Sequence, residues 1–173
     1  MKKDNWFYKV FLLTFLLSII FSTVTNLIAY NATQIVMLVM LMVIIFIGII
    51  FDMVATSALT SNEATFHAMS SKKIKGAKET IEIIKNSVKF ASICGDVIGD
   101  ICGIMSGGIG AVLAMNLALT TEFNVAGTSV IIGALISAFT VGGKALCKAI
   151  AVKNSDKIIF TVGTLKYMFK IKK

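Results

Sequence analysis

The sequence predicts an all-α integral membrane protein with about four transmembrane helices. Of its 173 residues, 57% are hydrophobic and none is proline, and the mean hydropathy is +0.88. A soluble domain is closer to half apolar and lacks apolar runs of spanning length. A spanning helix needs about 20 mainly apolar residues, and the chain has four such runs, at 6–30, 35–59, 90–119 and 125–152. The lipid bilayer is therefore the first partner that the composition predicts.

The first run follows Lys2 and Lys3, as the apolar part of a signal peptide would. It is longer than the apolar core of a signal peptide, which has about 7–15 residues, so we expect it to remain as a helix. The second run has no polar residue from Ile35 to Phe51, and residues 53–59 extend it. It is long enough to span a bilayer.

The segment 60–89 mixes lysines and glutamates with apolar side chains. The apolar side chains recur at helical spacing, at positions 66, 69, 74, 77, 81 and 84. This pattern predicts one or two amphipathic helices that lie against the membrane surface on the cytoplasmic side.

All 17 basic residues are lysines, and they fall on one side of the predicted helices. Three come before Val10, six lie in 60–89 and eight lie from Lys144 onward, which leaves none in the links 31–34 and 120–124. Lysine-rich loops mark the cytoplasmic side of a membrane protein. We therefore predict a multi-pass protein of the plasma membrane with both termini in the cytoplasm.

Two classes of function are not expected. The formal net charge is +8, but the chain has no arginine for bidentate contacts with guanine. Membrane loops account for the charge, so no nucleic-acid partner is predicted. No nucleophile, base and orienting group recur at usable spacing, so the chain is not predicted to be an enzyme.

Charged side chains inside the apolar runs are the main functional signal. Four of them are candidates for a functional role, Asp52, Asp96, Asp100 and Lys144, and a charge at the centre of a spanning helix costs about 2.5–3.5 kcal/mol. At a rise of about 1.5 Å per residue, Asp96 lies roughly 10 Å and Asp100 roughly 16 Å from the cytoplasmic end of its run. Asp52 and Lys144 come late in their runs, so all four are expected in the cytoplasmic half of the membrane.

These aspartates have two interpretations, which do not exclude each other. In the first, Asp52, Asp96 and Asp100 bind a divalent cation or move it through the membrane from a site in its cytoplasmic half. Mg²⁺ is the first candidate because it typically uses one or two carboxylates and keeps several waters, and other divalent cations fit the same ligands. In the second, Asp96 and Asp100 form intramembrane ion pairs with Lys144 and Lys148. The protein is then a non-transporting membrane scaffold or accessory subunit.

Glycines repeat every four residues in the third run, at Gly95, Gly99, Gly103 and Gly107. Small residues at this spacing let a second helix approach closely. The repeat predicts tight helix packing and favours a homodimer.

Three segments carry a resemblance to a known family. They are KIKGAKETIEII (73–84), CGDVIGDICG (94–103) and VGGKALCKAIAVKNSDKI (141–158). In this order, after a spanning helix, they resemble the transmembrane domain of the CorB, CorC and cyclin-M magnesium transporters. That family has a Gly-Ala-Lys-like segment, a Gly-Asn-x-x-x-Asn motif and a Gly-Glu-x-x-Pro-Lys motif. The resemblance covers residues 35–160 and implies a homodimer with an inward-facing cation cavity.

The chain departs from the family's motifs at several positions. Asp96 and Asp100 stand where the family has asparagines. Lys144 and Cys147 stand where it has the glutamate and proline of the third motif, and Lys148 matches its lysine. Relative to the family, charge has moved from one helix to another.

The resemblance divides the chain into three parts. Residues 1–34 are an additional N-terminal transmembrane helix with its outer link, 35–160 are the family-like domain and 161–173 are a basic cytoplasmic tail. The CBS pair and C-terminal domain that usually follow in the family are not expected here, so regulation by ATP is not expected either.

Overall fold

The computed structural model describes residues 6–121 and 124–171. These residues form helices joined by short links, with no strand among them. The helices are α1 (Trp6–Asn31), α2 (Gln34–Thr60), α3 (Glu63–Ser71), α4 (Ala77–Lys85), α5 (Ser87–Ala91), α6 (Gly99–Thr121), α7 (Val125–Lys153) and α8 (Ser155–Ile171), and a π-helical segment (Ser92–Ile98) joins α5 to α6.

Four helical stretches are long and apolar enough to cross a membrane. They are α1, α2, the continuous stretch Ser87–Thr121 and α7. They coincide with the four apolar runs, so the predicted all-α class and the predicted number of candidate spans are confirmed for the described residues. Many of their large apolar side chains are exposed in the isolated chain, as side chains that face lipid are.

One compact unit comprises the chain up to Ile49 together with Val97–Gly143. In it α1 packs against α6. At Gly48, α2 comes so close to α6 that an added Cβ would lie 3.1 Å from the Cβ of Cys102. Gln34 donates a hydrogen bond of 3.5 Å from its Nε2 to Oγ1 of Thr120. Small residues permit this close helix packing.

The second compact unit comprises Ile50–Asp96 and the chain from Lys144 onward. In it α4 packs against both α3 and α8. The ring of Phe66 in α3 stacks on that of Phe160 in α8 with 6.3 Å between the centroids. The buried core consists of Ala58, Phe66, Ile83, Ile84 and Ile159.

Helix α8 covers part of the apolar stripe that the sequence predicts for residues 60–89. Phe66 and Ile84 of that stripe share the core with Ile159, and Met69 and Ile81 pack against it. Phe66 and Ile84 are therefore buried within the protein, Met69 and Ile81 are partly buried, and Ile74 of the same stripe remains 40% exposed. The physical reason is that α8 presents an apolar face of its own, and packing two such faces together removes both from water.

The π-helical segment begins two residues before the CGDVIGDICG motif and includes Asp96. Hydrogen bonds from residue i to i+5 widen the helix there, and π-helical turns occur frequently at functional sites. The π-helical segment therefore makes Asp96 a candidate functional residue.

Candidate functional site

Asp52, in α2, is the most buried of the three predicted carboxylates. Its side chain is 14% exposed. Its Oδ2 atom is buried and accepts no hydrogen bond from the described residues. A buried carboxylate oxygen without a hydrogen bond needs a positive charge nearby, because removing an unpaired charge from water costs free energy.

Lys148, in α7, supplies that charge. Its Nζ lies 3.4 Å from Oδ2 of Asp52, which is ion-pair distance without a hydrogen bond. The lysine side chain is 53% exposed. The pair is therefore asymmetric, with a mostly buried anion and a half-exposed cation.

Apolar and small residues surround Asp52. An added Cβ on Gly95 would lie 3.2 Å from the Cβ of Ala55 and 3.8 Å from Oδ1 of Asp52. Ala55, Ala91 and Cys94 form a buried apolar cluster beside it. Few polar groups screen the carboxylate here, which strengthens its attraction to a cation.

Asp96 and Asp100 are placed differently from Asp52. Asp96 lies in the π-helical segment and Asp100 near the start of α6, and both are exposed. Neither has a hydrogen-bond or ion-pair partner for its carboxylate among the described residues. Their charges are uncompensated by the part of the chain that the structure describes.

Lys144 is half-buried and likewise has no carboxylate partner within residues 6–121 and 124–170. The structure thus forms an ion pair between two candidate spans, but its anion is Asp52. It does not bring Asp96 or Asp100 into a pair with Lys144 or Lys148.

The described residues contain no group of three or more histidine, cysteine, aspartate and glutamate side chains that could hold a metal ion. Asp52, Asp96 and Asp100 are therefore not assembled into one three-carboxylate group.

The four-residue glycine repeat separates into two pairs. Gly95 and Gly99 are buried, and Gly95 packs against Ala55. Gly103 and Gly107 are exposed, and an added Cβ at either would have no atom within 4 Å. The first pair serves packing within the chain, whereas the second leaves an open strip on α6.

Two features of the site have no clear signal in the sequence. One is the π-helical segment, which no residue pattern indicated. The other is the choice of Asp52 as the partner of Lys148, because a helical period fixes a residue's face but not the helix that this face meets.

The chain matches no family model, no curated protein and no solved structure in comparisons with known proteins.

Proposed function

We propose that this membrane protein binds a divalent cation, Mg²⁺ in the first place, at a site whose central ligand is Asp52. The observation that carries the proposal is the buried Oδ2 of Asp52, which has no hydrogen bond from the described residues and lies 3.4 Å from the ammonium of Lys148. Hard dications bind carboxylate oxygens. Lys148 is the internal cation that such an ion displaces.

Asp96 and Asp100 are further ligands in this proposal. Each is an uncompensated carboxylate in a candidate span, which is costly in lipid unless a cation or water reaches it. Magnesium typically uses only one or two carboxylates and retains several waters. A site built on Asp52 with one of these two residues therefore suffices, and transport through an inward-facing cavity is the extension of this proposal that the family resemblance implies.

The second candidate function is a non-transporting scaffold or accessory subunit. The ion pair between Lys148 and Asp52 favours it, because an ammonium already offsets the charge of the carboxylate. In this case the pair joins α2 to α7 and needs no metal.

Titration with Mg²⁺ separates the two functions. Under the first, MgCl₂ raises the melting temperature of the purified protein, by an amount equivalent to about 2.7 kcal/mol when the ion is at a hundred times its Kd. Asp52→Asn abolishes the rise, and Lys148→Gln preserves or enlarges it because the competing ammonium is gone. Choline chloride at equal ionic strength and the variant Lys157→Gln are the controls.

Under the second function, wild type does not respond to Mg²⁺ or Mn²⁺ beyond the salt control. Asp52→Asn and Lys148→Gln then both lower the melting temperature without metal. That pattern would reject cation binding at Asp52.

The remaining proposals concern assembly and placement. We infer a homodimer in the plasma membrane with both termini cytoplasmic, and membership of the CorB, CorC and cyclin-M family. Support for the dimer comes from the open strip on α6 at Gly103 and Gly107, and support for the orientation comes from the distribution of the lysines. We propose no enzymatic activity.

A further inference from the structure

A cavity of about 330 Å³ opens where α3, α4 and α8 meet. Its lining includes Ser70 at the end of α3, Lys73 and Lys75 in the following loop, Lys78 in α4 and Tyr167 in α8. All of these residues belong to the second compact unit. The cavity is separate from Asp52 and Lys148, neither of which lines it.

The charge around this cavity is strongly positive. Lys73, Lys75 and Lys78 are exposed and have no carboxylate partner among the described residues. The lining also contains Glu79, but its side chain is only 10% exposed and its Oε1 lies 3.7 Å from Nζ of Lys170. The three lysines are thus left to attract an anion.

The backbone between Lys75 and Lys78 packs closely against α8. Gly76, between Lys75 and α4, has a φ of +88°, and an added Cβ there would lie 2.7 Å from Oγ1 of Thr164 in α8. Helix α4 starts directly after Gly76 with no side-chain cap. The positive end of a helix adds to the attraction for an anion.

Apolar side chains next to the cavity indicate what kind of molecule carries the anion. Ile74 lines the cavity and is 40% exposed, and Met168, which follows the lining residue Tyr167 in α8, is 61% exposed. Exposed apolar side chains beside a group of lysines are typical of a surface that meets the interface of an anionic bilayer.

We propose that this cavity binds the phosphate of an anionic phospholipid headgroup, with Lys73, Lys75 and Lys78 as its ligands. Ile74 and Met168 contact the acyl region beside that headgroup. The site is independent of the proposed cation site, because it uses other residues and a ligand of opposite charge.

The test measures binding of phosphatidylglycerol to the full chain in a neutral detergent, by native mass spectrometry and by the rise in melting temperature. Each lysine at an anionic surface contributes roughly a fivefold factor in affinity. Lys73→Gln, Lys75→Gln and Lys78→Gln together are therefore expected to weaken binding on the order of 100-fold. The matched control carries Lys9→Gln, Lys153→Gln and Lys157→Gln, which remove the same charge from exposed lysines that are not among the lining residues of the cavity, and it is expected to bind as wild type does.

Equal weakening in the triple variant and the control would overturn the proposal, since only net charge would then matter. Absence of binding to wild type, or equal binding of phosphatidylcholine, would overturn it too. A response to inorganic phosphate as strong as that to phosphatidylglycerol would overturn the assignment to lipid. If the triple variant fails to fold, Lys75→Gln alone is expected to weaken binding about fivefold, and unchanged binding would reject the site.

Discussion

Nζ of Lys148 lies 3.4 Å from Oδ2 of Asp52, so a carboxylate in one candidate span finds its counter-charge in another. Oδ2 is buried and has no hydrogen bond from the described residues. The ion pair therefore offsets the charge of Asp52 without satisfying the lone pairs of this oxygen. That combination allows either a structural ion pair or a site that a stronger cation can enter.

The two residues should be energetically coupled. Asp52→Asn and Lys148→Gln are each expected to lower the free energy of unfolding, and the double variant should recover part of the loss, with a coupling of about 0.5–3 kcal/mol. Denaturant titration in mixed micelles measures this cycle. Lys153→Gln in place of Lys148→Gln is the control, and purely additive losses in the first cycle would show that the contact has no energetic role.

The exposed aspartates should contribute to metal stabilisation if they are ligands. In the Mg²⁺ titration, Asp96→Asn with Asp100→Asn is expected to reduce the metal-dependent rise in melting temperature, because it removes two uncompensated carboxylates. Asp156→Asn, which lies outside the candidate spans, should leave the rise unchanged. A full response in the double variant would restrict the cation site to Asp52.

The open strip on α6 should be the dimer contact. At Gly103 and Gly107 a new Cβ meets no atom of the described residues within 4 Å apart from its own turn of helix, so Gly103→Leu and Gly107→Leu are expected to leave the monomer folded while blocking close approach of a second copy. Light scattering with detergent correction should show a shift toward monomer. Gly133→Leu on α7 is the matched control because its surroundings are equally open, and a wild type that is monomeric in several detergents would end the dimer proposal.

The orientation can be tested by cysteine labelling. In a chain without its three native cysteines, Thr33→Cys and Thr121→Cys should react with an impermeant reagent applied outside intact cells, whereas Ser71→Cys should not. The reason is that the lysine-rich segments are expected on the cytoplasmic side. The opposite labelling pattern would reverse the predicted topology.

The contact between α4 and α8 should weaken in acid. The hydrogen bond from Lys166 holds the pKa of Glu82 below its usual value of 4.5, and the charge of Lys166 adds to this effect. Because the pKa of Glu82 is lower in the folded than in the unfolded state, its contact with Lys166 contributes to stability above the unfolded-state pKa. This contribution is lost as the pH falls through the folded-state pKa. Lys166→Gln should therefore lower the melting temperature slightly at pH 7 and not at pH 2. If Lys166→Gln lowers the melting temperature equally at both pH values, the ionised Glu82 is excluded as the cause.

The sequence by itself determined the elements whose cause is local. Four long apolar runs are enough to predict four candidate spans, because the length of an apolar helix and its transfer from water do not depend on which helix it packs against. The position of each charged residue along its apolar run is likewise read directly from the sequence. Asp52, Asp96 and Lys144 lie within candidate spans as the pattern predicts.

Only the tertiary structure decided which faces meet. It paired Lys148 with Asp52 and left Asp96 and Asp100 exposed, a choice that residue spacing could not make, since several carboxylates satisfy the same helical period. It also covered the stripe of α3 and α4 with α8. The physical reason is the same in both cases. Which helices contact each other depends on the combined free energy of burying apolar area and compensating charge. This free energy depends on all the helices together and not on the sequence of any one of them.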